Sequence, residues 1–159
     1  MSDRLVKLYN LPEPVPYLKK LAAEGITVRR ARAYEKFLVV EWVRKTFDLA
    51  WAGECDVAFS NQPVSCFIAT QRGSILGFAC YDSTFKNFFG PMGIAEEYRR
   101  RRIGSALLLE CLHSISANGY AYAVIGAAGR AEEFYSQVID SIEIKGSYPG
   151  VYTDRLKDI

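Results

Sequence analysis

The sequence predicts an α/β (α+β) domain with a mixed sheet flanked by helices, and three observations carry that prediction. Residues 64–70 and 75–81 are apolar runs separated by Gln71-Arg72-Gly73-Ser74, the spacing of a β-hairpin. Residues 103–117 place Leu108, Cys111, Leu112 and Ile115 at helical intervals, and Asn118-Gly119 closes the pattern. Residues 120–127 then form a nearly continuous apolar run, as in a strand buried on both faces. A hairpin followed by strand–helix–strand requires a mixed sheet with helices packed on it.

The other elements follow in chain order. In the first two dozen residues, Leu11-Pro12-Glu13-Pro14-Val15-Pro16 cannot be helical throughout, because each proline restricts itself and its predecessor. Leu18, Leu21 and Ala22 then share one face of a short helix that stops at Gly25. Residues 1–25 are expected as an N-terminal extension carrying this helix, and residues 26–159 as the main domain. A first strand is expected over 26–33, β-branched at its start. A helix over 35–47 has Phe37, Leu38, Trp42, Val43 and Phe47 as its apolar stripe. Residues 48–63 are the least regular and include a short helix. Residues 85–94 add a strand broken by Gly90-Pro91 and Gly93, which marks a bulge or the close approach of another backbone. A helix over 131–138 and a short strand over 142–144 complete the order.

Composition narrows the function. At 159 residues, half of them hydrophobic and 13% aromatic, the chain has ample material for one packed core. A net charge of +2 creates no overall field for nucleic acid or anionic lipid, so anion recognition must come from a local cluster. Cys55, Cys66, Cys80 and Cys111 contain no Cys-x-x-Cys pair, and His113 is the one histidine. No metal site is expected from that spacing, and the cysteines are read as free thiols packed as small hydrophobes in a reducing compartment. The N-terminus lacks the apolar stretch of a signal peptide, and no run is long enough to span a bilayer. The expectation is a soluble, cytoplasmic protein with neither membrane nor nucleic-acid partners.

The local cluster is Arg99-Arg100-Arg101-Arg102-Ile103-Gly104-Ser105-Ala106, a cationic loop entering a helix at a glycine. The first N–H groups of a helix lack partners and, with the helix dipole, favour an anion beyond the end. Gly104 and Ser105 carry no bulk that would block a phosphate or pyrophosphate. The spacing is not that of a Walker loop.

This segment resembles the central motif of the Gcn5-related N-acetyltransferases (GNAT), whose Gln/Arg-x-x-Gly-x-Gly/Ala signature is matched by Arg101-x-x-Gly104-x-Ala106. Tyr98-Arg99 before it and Leu107-Leu108 after it add to the match, and Ala131-Glu132-Glu133-Phe134-Tyr135 resembles the family's Ala-x-x-x-Tyr element. The resemblance implies a mostly antiparallel sheet and acetyl-coenzyme A as co-substrate, with no metal. The backbone at Met92 and Ile94 would pair with the pantetheine amides, and the amides from Arg101 to Ala106 would hold the pyrophosphate. Tyr135 would lie near the sulfur. It departs from the family in three places. Arg100 and Arg102 stand where glycine is frequent, and Ala128 where Asn is. After Tyr135 the family's common Gly-Phe ending is not recognisable, with Asp140-Ser141 near that place, and the usual last strand is moreover expected to be shortened or absent.

Acetyl transfer to an amine needs a neutral nucleophile, a polarised carbonyl and a proton for the leaving thiolate. Tyr135 is the candidate acid, since a phenol of pKa about 10 is protonated at neutral pH. Glu54 and Asp56 are candidates to hold a cationic amine or accept its proton. Glu96 and Glu97 more simply begin the arginine loop, and His113 is read as a surface or interhelical residue. Phe85, Phe88, Phe89 and Trp51 are either an acceptor wall or core. The acceptor would be a small-molecule or peptide amine, and a homodimer is an option the resemblance brings. The competing readings are a coenzyme-binding regulatory module without turnover and a nucleic-acid binder using the arginines. Duplex binding usually draws on an extended basic surface that a near-neutral chain does not offer.

Overall fold

A computed structural model describes residues 1–157. Its strands are β1 (Asp3–Lys7), β2 (Thr27–Arg30), β3 (Cys66–Gln71), β4 (Ser74–Tyr81), β5 (Phe88–Ile94), β6 (Tyr122–Ile125) and β7 (Ser141–Ile144). Its helices are α1 (Val15–Ala23), α2 (Lys36–Thr46), α3 (Leu49–Ala58), α4 (Ile103–Ala117) and α5 (Glu132–Val138). The seven strands form one sheet in the order β2-β3-β4-β5-β6-β1-β7. All neighbouring pairs are antiparallel except β5 and β6, which run parallel.

Strand side chains alternate between faces, and on β3 and β4 both faces are covered. Phe67 and Ala69 of β3 and Leu76 and Ala79 of β4 join a core built around α4, to which α1 and α5 also contribute. Cys66, Ile68, Phe78 and Cys80 point the other way, into a second core closed by α2 and α3. Helix α4 is the central prop. Ile103, Ser105, Ala106, Leu107, Leu108, Leu109, Cys111, Leu112 and Ile115 are all buried, so it is apolar on nearly every side, as a helix enclosed by protein must be. Arg30 crosses from β2 to donate to the Val64 carbonyl, the Tyr81 hydroxyl and Ser114 Oγ, with its guanidinium 4.7 Å from the Phe67 ring centroid. All four cysteines are free and buried. His113 sits between elements as expected, its Nε2 2.8 Å from the Pro12 carbonyl. Among the described residues, no helix is long and apolar enough to cross a membrane.

Four expectations need correction. Residues 3–7 are not part of an appended element: they form β1, between β6 and β7. The strand was hidden because Asp3, Arg4 and Lys7 surround only two apolar residues, Leu5 and Val6. Residues 49–58 form a full helix, started by Asp48 Oδ1 accepting from the Trp51 amide. The buried stripe of α2 is Val39 and Val43, whereas Phe37 and Leu38 are 80% and 72% exposed. Finally, β6 is covered on one face only: Ala123 and Ile125 are buried, and Tyr122 is exposed. Among the described residues, no strand follows β7.

Val6 is fully buried in the main core. Val6→Ala should therefore cost about 1–3 kcal/mol in urea unfolding. A change below about 0.5 kcal/mol would mean that the N-terminal strand contributes no core.

Candidate functional site

The site begins where two strands separate. The parallel pairing of β5 with β6 involves only Phe88 with Val124 and Phe89 with Ile125. Asn87 pins that end: its carbonyl accepts from the Val124 amide, its side-chain amide donates to the Tyr122 carbonyl, and its own N–H is held by Asp82 Oδ1. Beyond Phe89 come Gly90, at φ +116 where L side chains are strained, and Pro91, which has no N–H to give. The β6-facing edge of β5 from Gly90 to Ile94 thus has no strand partner. It borders a cleft of about 1480 Å³.

One end of the cleft is the N-terminus of α4. The amides of Ile103, Gly104 and Ser105 lie in the first helical turn, where no partner exists within the helix, and these residues line the cleft. A Cβ at Gly104 would lie 3.3 Å from Phe134 Cζ and 3.8 Å from Met92 Cε, so a larger residue would crowd this mouth. Arg100 and Arg102 both adopt left-handed backbone, φ 64 and 68, the conformation that makes glycine frequent at such positions. Arg99, Arg100 and Arg102 border the cleft. Arg99 Nε donates to the Ile94 carbonyl at 3.2 Å and fastens the loop to the end of β5.

The middle and far end are built by side chains from distant parts of the chain. Tyr135 on α5 is 8% exposed, edge-on to Phe89 and Phe134. Burial, and then the neighbouring Tyr152, push its pKa up to about 12. Tyr152 comes from the C-terminal segment, and its hydroxyl lies 2.6 Å from where a Cβ of Gly126 would stand. Burial raises its pKa as well, with Glu54 and Asp3 adding to the effect and Arg155 and the Thr84 hydroxyl opposing it. Thr84 Oγ1 donates to Glu54 Oε1. Glu54, Thr84, Tyr152, Phe47 and Trp51 together line this end. Asp3 holds the C-terminal segment in place: its Oδ1 accepts from the Ala127 amide at 2.8 Å, and its N–H donates to Ser147 Oγ at 2.7 Å.

Of the residues expected from the sequence, Met92, Ile94, Arg99, Arg100, Arg102, Ile103, Gly104, Ser105, Tyr135 and Glu54 meet in this cleft. Two do not line it. Arg101 turns aside over the Tyr98 ring, 5.4 Å from its centroid, and Ala106 is fully buried in the core. Asp56 is spent on an ion pair with Lys36 at 3.0 Å. Glu96 and Glu97 are solvent-exposed. Phe89 and Trp51 line the cleft, whereas Phe85 and Phe88 pack against each other outside it. Sequence reading missed Thr84, Tyr152 and Phe47. No local pattern marks Thr84 or Tyr152, Phe47 was read only as part of a helical stripe, and only the fold brings the three together.

Residues 62–138 match the family model described as the acetyltransferase (GNAT) domain. That stretch is similar to a GNAT acetyltransferase domain. Solved structures agree on the GNAT fold. A glucosamine N-acetyltransferase region of a fungal multi-domain β-N-acetylglucosaminidase superposes with TM-score 0.68 at 14% identity, covering 89% of this chain and 20% of that one. A GNAT protein from Sphaerobacter thermophilus gives 0.56 at 18% identity, covering 95% of this chain and 45% of that one. An acetyltransferase described as putative from Pyrococcus horikoshii gives 0.54 at 18%, covering 72% and 42%. The chain thus spans less than half the length of each. No curated protein matches the sequence.

The left-handed arginines give a test of local strain. Arg102→Gly should leave stability unchanged or raise it by up to about 1 kcal/mol, because relief of the left-handed conformation offsets glycine's added chain entropy. Thermal unfolding reads this directly. A loss above about 1 kcal/mol would assign the Arg102 side chain a structural role.

Proposed function

We propose that the protein is an acetyl-coenzyme A-dependent N-acetyltransferase acting on a primary amine by direct transfer. The observation that carries this reading is the arrangement along one cleft. Free helix amides and arginines lie at one end, a free strand edge runs beside them, a buried protonated tyrosine sits in the middle, and a carboxylate stands at the far end. The residues fit the co-substrate. Gly104 leaves the space that a side chain would fill at the helix mouth. The volume of about 1480 Å³ exceeds the roughly 300–1,000 Å³ of ordinary small-molecule pockets, as a long ligand with a second substrate requires.

Acetyl-coenzyme A supplies an acetyl group activated as a thioester. The amides of Ile103 to Ser105, with Arg99, Arg100 and Arg102, hold its pyrophosphate. The β5 backbone at Met92 and Ile94 aligns its pantetheine chain in the manner of an added strand. Tyr135 donates the proton that the departing sulfur needs, and its raised pKa keeps it protonated through the neutral range. Glu54, held by Thr84, attracts the acceptor as a cation; the ammonium loses one proton to solvent before the neutral amine attacks, and Glu54 takes up the second as the C–N bond forms and the C–S bond breaks. Phe47 and Trp51 cover the apolar part of the acceptor.

Two experiments test this reading. Tyr135→Phe should lower kcat at least tenfold while the dissociation constant for acetyl-coenzyme A stays within about twofold. In the parent enzyme, kcat should show no fall from Tyr135 ionisation up to about pH 10, because the group deprotonates only near 12. An unchanged kcat in the variant rejects the acid role. If no amine in a broad panel releases coenzyme A thiol although acetyl-coenzyme A raises the melting temperature, the chain is a binding module without turnover.

The second experiment is a coenzyme titration. Gly104→Val should weaken binding at least tenfold, whereas Arg100→Ala and Arg101→Ala should each weaken it about threefold or less. Equal losses from all three would show that side-chain charge, not backbone, makes the site.

A further inference from the structure

The three cysteines that no sequence spacing links converge on one point in the second core. Cys55 comes from α3, Cys66 from β3 and Cys80 from β4, and all are 0% exposed. Cys66 and Cys80 are direct cross-strand partners, and Cys55 closes the triangle from the helix above. The three Sγ atoms lie within 4.8 Å of one another. Cys66 Sγ also makes a weak contact with the Phe67 carbonyl at 3.7 Å. Cys111, the fourth cysteine, belongs to the other core.

We propose that Cys55, Cys66 and Cys80 form a three-sulfur site for a soft monovalent metal ion of the copper(I) class. The donor set selects the ion. Sulfur ligands favour soft ions over magnesium, calcium or manganese, which take oxygen. Zinc is held almost always by four ligands in structural sites, and among the described residues no histidine or carboxylate joins these three. An ion bonded to three sulfurs at about 2.3 Å separates them by about 4.0 Å, within the spacing observed. The surroundings limit the charge. Val43, Ala52, Ala58, Ile68 and Phe78 make an apolar shell, where a net charge is costly to bury, and a singly charged ion leaves the site neutral when one sulfur binds as thiolate and the other two as thiols. Each thiol that binds as thiolate releases its proton to solvent, and no sulfur or metal changes oxidation state.

The site would tie α3 to the β3–β4 hairpin, and it stands or falls independently of the transferase reading. The test is an anaerobic titration of the reduced full-length protein with copper(I) supplied as its bicinchoninate complex. The parent protein should withdraw one copper(I) per chain. Cys55→Ala, Cys66→Ala and Cys80→Ala should each lower the affinity at least 100-fold, and Cys111→Ala should leave it unchanged. Withdrawal no greater than that of a variant with Cys55, Cys66 and Cys80 all changed to alanine, or an equal loss in Cys111→Ala, overturns the proposal. Because alanine in the core can impair folding, X-ray absorption of the copper-loaded parent protein provides a second measurement. Three sulfur neighbours near 2.3 Å support the site, and nitrogen or oxygen neighbours refute it.

Discussion

The separation of β5 from β6 is the constraint on which the rest of the site depends. A parallel pair held along its whole length would satisfy the backbone groups of Gly90 to Ile94 within the sheet and leave nothing for a ligand. The chain prevents this by fastening one end and breaking the other. Asn87 bonds to β6 on both sides of Ala123, through the Val124 amide and the Tyr122 carbonyl. Three residues later, Gly90 and Pro91 redirect the strand. Antiparallel pairing with β4 continues to Ile94, so β5 stays in the sheet on one side while its other edge opens. The outcome is a rigid free edge rather than a loose loop.

The opening is stable because both chain ends brace it from the β6 side. Strand β1 lies between β6 and β7 and contributes Val6 to the core. At its first residue, Asp3 accepts from Ala127, where the backbone turns left-handed on leaving β6, and donates to Ser147 in the C-terminal segment. That segment then brings Tyr152 against Gly126, beside Tyr135. One buried residue, through its carboxylate and its backbone N–H, thus links the N-terminal strand, the exit of β6 and the segment that forms the wall of the cleft. Residues far apart in sequence become a unit, and the far end of the site is built by tertiary structure alone.

This explains which parts were legible in the sequence. The hairpin, α4 and the arginine loop were readable because each is encoded locally, by turn residues, by helical periodicity or by a run of charge. The bounds expected for α4 agree with those observed. Strand β1 was not readable, since five residues with three charges carry no periodicity and gain their burial from β6 and β7. Helix α3 was obscured because Trp51, Ala52, Cys55 and Ala58 serve two surroundings, with Trp51 on the cleft and the other three in the core. In the candidate site, the half built from one continuous segment was foreseen. Thr84 and Tyr152 were not, because nothing near either one in sequence relates it to Glu54.

The arginines at positions 100 and 102 show what the site gains and gives up. Left-handed backbone costs a residue with a Cβ about 1–2 kcal/mol, and glycine would avoid most of that cost. Both side chains are exposed, and an exposed cation facing a single anion returns about 0–1 kcal/mol. Against a monovalent ligand, then, this loop would be a net loss relative to glycine. The loss becomes smaller when each cation sees several negative charges at once and the helix dipole of α4 adds to the same field. Two strained arginines flanking a helix entrance therefore argue for a polyanionic ligand, and a pyrophosphate-bearing coenzyme meets that condition where a lone carboxylate or chloride does not.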